Sequence, residues 1–124
     1  MRTVLIIEDD ADMREIARAT LACAGYRVVL AANGEEGLQL LAHQRPCVIL
    51  LDLMMPVMDG LSFLAERHRR GLGNGVPVVC ITAGGREMQK HALTLGAREC
   101  LLKPADFELL CERIEHYCGN RSID

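Results

Sequence analysis

Val48-Ile-Leu-Leu-Asp52 is a strand-length apolar run that ends in an acid, and a loop with Pro56 and Gly60 follows it before a helical pattern begins near residue 61. Strands that are apolar at every position are those that helices cover on both faces, as in a parallel sheet. The order of apolar strand, loop and helix recurs on both sides of this stretch, five times in all. This alternation predicts an α/β fold with a doubly wound parallel sheet.

The remaining elements follow from the same pattern. The predicted strands are Thr3–Ile7 (β1), Arg27–Ala31 (β2), Val48–Asp52 (β3), Val78–Thr82 (β4) and Glu99–Leu102 (β5). The predicted helices cover about 13–24 (α1), 34–43 (α2), 61–70 (α3), 87–95 (α4) and 106–117 (α5). Five units are too few for an eight-stranded barrel, and right-handed crossovers favour the open strand order 2-1-3-4-5.

Length and composition limit the class of protein. At 124 residues the chain is predicted to be one domain, since two would each be too small to bury a good core. We expect residues 1–119 to form the domain and residues 120–124 to be a C-terminal tail or the start of a linker. The net charge of −3, the 3% of aromatic residues and the absence of a dense basic run argue against a nucleic-acid surface. No apolar run approaches the roughly 18 to 20 residues of a membrane span, so a cytoplasmic domain is expected.

The six cysteines, at positions 23, 47, 80, 100, 111 and 118, include no C-x-x-C pair of the kind that zinc or dithiol redox chemistry uses. Most of them fall where a small apolar residue would serve. We therefore predict reduced thiols that fill the core in a reducing compartment.

Polar side chains gather at the carboxyl ends of four predicted strands. They are Glu8, Asp9 and Asp10 after β1, Asp52 at the end of β3, Thr82 at the end of β4 and Lys103 after β5. The carboxyl ends of parallel strands meet at one edge of the sheet, which is where doubly wound folds bind their ligands. We therefore expect these side chains to lie together.

A cluster of acids needs a positive partner. Two unit charges 4 Å apart repel by about 4 kcal/mol at an effective dielectric near 20, so Glu8, Asp9 and Asp52 would be costly without one. Oxygen ligands without histidine or cysteine suit Mg²⁺. With the ammonium group of Lys103 and the hydroxyl group of Thr82, this set predicts phosphoryl transfer in which Asp52 is the nucleophile.

The motifs that carry these residues resemble the receiver domain of two-component response regulators over essentially the whole chain. They are Glu8-Asp9-Asp10, Asp52-Leu-Met-Met-Pro-Val-Met-Asp-Gly60, Ile81-Thr82-Ala83 and Lys103-Pro104. The resemblance implies a flavodoxin-like fold. It also implies that Asp52 accepts a phosphoryl group from a sensor histidine kinase or a histidine phosphotransfer protein.

The same resemblance implies a role for each motif residue. The Mg²⁺ ligands would be Asp9 and Asp52 directly, Glu8 through water, and the backbone carbonyl of Met54. The phosphoryl oxygens would bind Thr82, the amide of Ala83 and Lys103. Asp10 would cap α1 and would not bind the metal.

A phosphorylated Asp52 is expected to alter the α4–β5–α5 face, which would regulate an output domain or a downstream protein. A phosphorylation-dependent homodimer is a further expectation. Receivers usually carry an aromatic residue three positions before the lysine, whereas this chain has Cys100 there. We expect an atypical signalling face, on a switch that catalyses its own phosphorylation and dephosphorylation rather than an enzyme with a separate substrate.

Two other functions remain to be weighed. A hydrolase that forms an aspartyl-phosphate would have a second Asp two residues after the nucleophile, where this chain has Met54. A flavin carrier with the same strand order would have a Ser/Thr-rich phosphate loop after β1, where this chain has acids, and aromatic residues to sandwich the flavin ring. The hydrolase is the main alternative.

Overall fold

The computed structural model of the protein describes residues 2–104 and 106–119, and within them the chain alternates five strands with five helices. The strands are Thr3–Ile7 (β1), Arg27–Ala31 (β2), Val48–Asp52 (β3), Val78–Thr82 (β4) and Glu99–Leu102 (β5). The helices are Ala11–Cys23 (α1), Gly34–Leu41 (α2), Gly60–Arg70 (α3), Arg86–Thr94 (α4) and Phe107–Cys118 (α5). The strands pair in parallel in the order β2-β1-β3-β4-β5, which confirms the predicted fold class and strand order.

The helix boundaries differ from the predicted ones by at most two residues, and the start of α2 and the end of α3 agree. The α1 helix begins earlier because the Asp10 carboxylate accepts hydrogen bonds from the backbone N–H groups of Asp12 and Met13. The α2 helix ends at Leu41 rather than at residue 43. The predicted tail at 120–124 lies outside the described residues.

Helices cover both faces of the sheet, and the alternation along β1 shows how. Leu5 and Ile7 face a core that α2, α3 and α4 complete, whereas Val4 and Ile6 face a second core that α1 and α5 complete. The central strand β3 is buried along its whole length, and the edge strands β2 and β5 are only partly buried. Among the described residues, none of the helices has the length and apolar composition required to cross a bilayer.

The prediction for the cysteines was wrong in part. Cys47, just before β3, forms a disulfide with Cys118 at the end of α5, with 5.3 Å between their Cα atoms. The parallel topology brings these two points together although they are 71 residues apart. Cys23 is exposed and therefore fills no core, whereas Cys80 is a buried thiol as predicted.

Candidate functional site

Three carboxylates meet at the carboxyl edge of the sheet. Glu8 and Asp9 follow β1 and Asp52 ends β3, and one oxygen from each lies within 4.8 Å of the other two. Asp52 is only 4% exposed, the Glu8 side chain is half-buried, and Asp9 is open to solvent. The pairing of β1 with β3, in which Ile7 lies beside Leu51, sets this arrangement. The convergence expected from the sequence is therefore present in the structure.

Lys103 supplies the positive charge within this cluster. Its Nζ atom lies 3.1 Å from Asp52 Oδ2 and 3.9 Å from Glu8 Oε1. Its backbone N–H donates to the carbonyl oxygen of Thr82 at 2.9 Å, which fixes the start of the loop after β5. Partial burial disfavours the ammonium form, but the hydrogen bond to Asp52 and the surrounding acids outweigh it and raise the pKa of Lys103.

Glu8 holds its proton more tightly than an ordinary glutamate. Burial raises the pKa of its carboxyl group to about 7, and the nearby charge of Asp52 raises it as well. Two groups act in the opposite direction, the backbone N–H of Asp10, which donates to Glu8 Oε2 at 3.1 Å, and the charge of Lys103. The carboxyl group of Glu8 is thus poised to ionise near neutral pH.

Thr82 ends β4 one residue beyond Ile81, the residue that pairs with Asp52. Its side chain is fully buried, and its hydroxyl oxygen accepts a hydrogen bond from the backbone N–H of Gly84 at 2.9 Å. The same oxygen lies 3.5 Å from the sulfur of Met88. Ala83, the other residue expected to bind phosphoryl oxygens, is exposed in the loop after β4.

A family model of the response regulator receiver domain matches residues 4–115, which is most of the chain. This chain is a receiver domain of the response regulator family. That family provides the phosphoacceptor of two-component systems, and the match covers all the residues of the acidic cluster and every strand residue except Thr3.

Curated relatives and solved structures agree with the family. The receiver domain is 38% identical over 122 residues to the response regulator MprA of a Mycobacterium species (strain KMS). That match covers 98% of this chain and 52% of the relative, so the chain spans about half the length of the curated relatives it matches. Chemotaxis protein CheY4 of Vibrio cholerae superposes with a TM-score of 0.87 at 30% identity, over 94% of this chain and 98% of that one.

One structural neighbour carries a metal. The receiver domain of a sensor histidine kinase from Pseudomonas aeruginosa, solved with a magnesium ion coordinated in its active-site cleft, superposes with a TM-score of 0.85 at 29% identity. The match covers 96% of this chain and 98% of that one. The three converging carboxylates of our receiver domain are oxygen ligands of the type that hard divalent cations prefer, so its own donor set fits such an ion.

The loop after β3 holds Asp52 from its other side. The backbone N–H of Met54 donates to Asp52 Oδ1 at 3.1 Å, so both carboxylate oxygens of Asp52 have a partner. The loop then folds back so closely at Gly60 that a Cβ atom there would lie 2.6 Å from the Cα of Leu53. The metal-binding role expected for the Met54 carbonyl stays a prediction.

Arg14 is a residue of the site that sequence reasoning missed. Its Nη1 atom donates to the carbonyl oxygens of Glu8 and Asp9, at 2.8 and 3.0 Å. Arg14 therefore ties the acidic loop of the receiver domain to α1. The signal in the sequence was an arginine near the start of a helix that directly follows an acidic run. Asp10 caps α1, in the position that the resemblance gave it.

The α4–β5–α5 face carries no aromatic residue at position 100. Cys100 is half-buried there, and its sulfur lies 3.7 Å from the carbonyl oxygen of Gln89. Each of the three elements α4, β5 and α5 carries one exposed large apolar side chain, namely Leu93, Leu102 and Leu109.

Proposed function

We propose that Asp52 accepts a phosphoryl group from a phosphohistidine, carried by a sensor histidine kinase or a histidine phosphotransfer protein, and that Mg²⁺ is required. The observation that carries this proposal is the environment of Asp52. A buried carboxylate with an ammonium group at 3.1 Å and two further acids within reach is a costly arrangement for folding alone. It is a suitable one for receiving a phosphoryl group.

The chemistry follows from the partners of Asp52. One carboxylate oxygen attacks phosphorus while the P–N bond to the donor imidazole breaks, which leaves an acyl phosphate on Asp52 and a neutral histidine after proton uptake. Lys103 would direct its charge to the incoming phosphoryl oxygens, and the Thr82 hydroxyl and the Ala83 amide would donate hydrogen bonds to them.

The metal would be held by Asp9, Asp52 and the Met54 carbonyl, with Glu8 acting through water. When bound, Mg²⁺ neutralises charge on the phosphoryl oxygens. The role of the protein is to hold the acids together at one edge of the sheet. Arg14 contributes by fixing the backbone of the loop that carries Glu8 and Asp9.

We propose that the phosphorylated domain acts as a switch rather than as an enzyme on a separate substrate. An acyl phosphate adds most of two negative charges and three acceptor oxygens at one point. The α4–β5–α5 face would transmit the change to an output domain, a downstream protein or a second phosphorylated copy, and its exposed Leu93, Leu102 and Leu109 suit such contacts. The hydrolase alternative lacks support, because position 54 offers an exposed methionine and no acid.

The test is phosphorylation by a small donor. Incubation with acetyl phosphate and Mg²⁺ should add one phosphoryl group, visible by intact-protein mass spectrometry, and chelation of the metal should prevent it. Asp52→Asn should abolish uptake with the fold retained, whereas Asp12→Asn, an exposed change in α1, should leave uptake intact. Labelling that persists in Asp52→Asn would overturn the assignment, and continuous release of phosphate without accumulation would favour the hydrolase.

A further inference from the structure

The hydroxyl group of Thr82 already has a partner on each side. Its oxygen accepts the backbone N–H of Gly84, and a hydroxyl carries one hydrogen, so that hydrogen is directed to the sulfur of Met88 at 3.5 Å. Because Thr82 is fully buried, no water competes for either interaction. With Asp52 unmodified, Met88 is therefore the hydrogen-bond acceptor of Thr82.

The loop between β4 and α4 makes room for this contact. A Cβ atom at Gly84 would lie 2.7 Å from the Met88 sulfur and 3.1 Å from Thr82 Oγ1. Any larger residue at position 84 would push the sulfur away from the hydroxyl. The contact therefore depends on the sequence of this loop as well as on the rotamer of Met88.

Phosphorylation and the sulfur contact compete for the same hydrogen. Phosphoryl oxygens only accept hydrogen bonds, so Thr82 can bind them only by donating the hydrogen that it now gives to Met88. We propose that Met88 is a positioning residue that reads the state of Asp52 through Thr82, and that its release on phosphorylation rearranges the start of α4. This proposal rests on the proposed function, since it requires the Thr82 hydroxyl to turn to the phosphoryl group.

The position of Met88 suits such a role. It lies in the first turn of α4, a helix whose N-cap, Gly85, supplies no side-chain hydrogen bond. Its side chain lines a surface groove between α3 and α4 together with Leu61, Lys90, His91 and Thr94. A thioether chain has three rotatable bonds and adapts easily to a new shape, so its movement would change this groove.

The first experiment measures the competition directly. Met88→Leu keeps the volume but removes the acceptor, which leaves the hydroxyl hydrogen of Thr82 without an acceptor until a phosphoryl group arrives. The affinity of the full chain for beryllofluoride, a mimic of the phosphoryl group, should therefore become about two- to fivefold tighter in the presence of Mg²⁺. Met58→Leu is the matched control, because Met58 is also half-buried against the same core but packs on Gly34. Unchanged or weaker affinity for beryllofluoride in Met88→Leu would overturn the proposal, because that is the result expected if Met88 contributes only to packing.

The second experiment observes the release of Met88. In a protein labelled with ¹³C at its methionine methyl groups, beryllofluoride with Mg²⁺ should shift the Met88 signal in the wild type and in Thr82→Ser, which keeps the hydroxyl. It should leave the signal unchanged in Thr82→Val. The amide signal of Met54 reports occupancy of the Asp52 site independently. Occupancy without movement of Met88 overturns this inference alone, whereas no occupancy at all overturns the proposed function together with it.

Discussion

In the absence of added metal, the carboxyl group of Glu8 should make the receiver domain less stable as the pH rises. Burial raises its pKa from an ordinary 4.5 to about 7 in the folded protein. Below pH 4.5 the group is protonated in both the folded and the unfolded states, so it favours neither. Between the two pKa values the unfolded chain releases the proton while the folded domain keeps it, and above pH 7 the folded domain must hold a poorly solvated charge. The contribution of Glu8 to the free energy of unfolding is therefore fully present at low pH and is lost as the pH rises through about 7.

The size of the effect follows from the two pKa values. Each pH unit between 4.5 and about 7 corresponds to about 1.4 kcal/mol, which sets an upper limit of about 3.5 kcal/mol. The Glu8 side chain is 13% exposed and thus keeps some contact with solvent. We therefore expect a loss of about 2 kcal/mol in the free energy of unfolding between pH 4.5 and pH 8.

The assay compares variants, because other acids also titrate over this range. Glu8→Gln imitates the protonated carboxyl group at every pH. In urea denaturation with a chelator present, it should match the wild type at pH 4.5 and exceed it by about 2 kcal/mol at pH 8. A control change at the exposed Glu112 of α5 should leave the difference near zero at both pH values. Mg²⁺ at pH 8 should stabilise the wild type more than Glu8→Gln, because it binds the ionised acids of the folded state.

A stability difference between Glu8→Gln and the wild type that stays constant from pH 4.5 to pH 8 would refute the reasoning. It would mean that Glu8 is solvated as well in the folded domain as in the unfolded chain. The acidic cluster would then carry no stored repulsion, and the main physical argument for a cation at this edge would be lost.

Two further predictions concern stability. Reduction of the disulfide between Cys47 and Cys118, which are 71 residues apart, should lower the free energy of unfolding measured in urea by about 4 kcal/mol. A variant with serine at both positions should be insensitive to the reductant. An unchanged urea midpoint for the reduced wild type would show that no disulfide forms. Val57 is 84% exposed and has a φ of 68°, a backbone conformation that is strained for a residue with a Cβ atom. Val57→Gly should therefore stabilise the domain by about 0.5 to 1 kcal/mol in thermal denaturation. Val57→Ala, which keeps a Cβ atom, should stabilise it less.

The strands were predictable because local sequence determines them. Each is an apolar run that ends at a polar or turn residue, and all five predicted strands match the structure. Helix ends were less predictable because they depend on individual hydrogen bonds. The Asp10 carboxylate starts α1 at Ala11, two residues before the apolar periodicity becomes visible. After α2, the N–H groups of His43 and Gln44 both donate to the carbonyl oxygen of Leu40, and the helix ends at Leu41.

The candidate site was predictable only as far as topology determines it. Once the strands are parallel and ordered, Glu8, Asp52 and Lys103 must approach the same edge, and the sequence suffices to expect them there. Contacts that depend on the conformation of a long side chain could not be predicted in this way. The bonds of Arg14 to the loop after β1 and the contact of Met88 with Thr82 depend on rotamers and on loop shape, which residue spacing does not encode. The disulfide was missed for a related reason, since its cysteines are 71 residues apart and only the tertiary fold brings them together.

Three polar groups of the site have a partner within the chain that the proposed phosphorylation and its metal would replace. Lys103 pairs with Asp52, the Thr82 hydroxyl pairs with a methionine sulfur, and Glu8 can hold a proton near neutral pH. The two buried polar side chains of the site, Asp52 and Thr82, therefore both have partners without a phosphoryl group. These partners are also weak or exchangeable, because thioether sulfur is a poor acceptor and a proton yields readily to a divalent cation. The two states can then differ by only a few kcal/mol, which is the condition for a switch that one phosphoryl group can reverse.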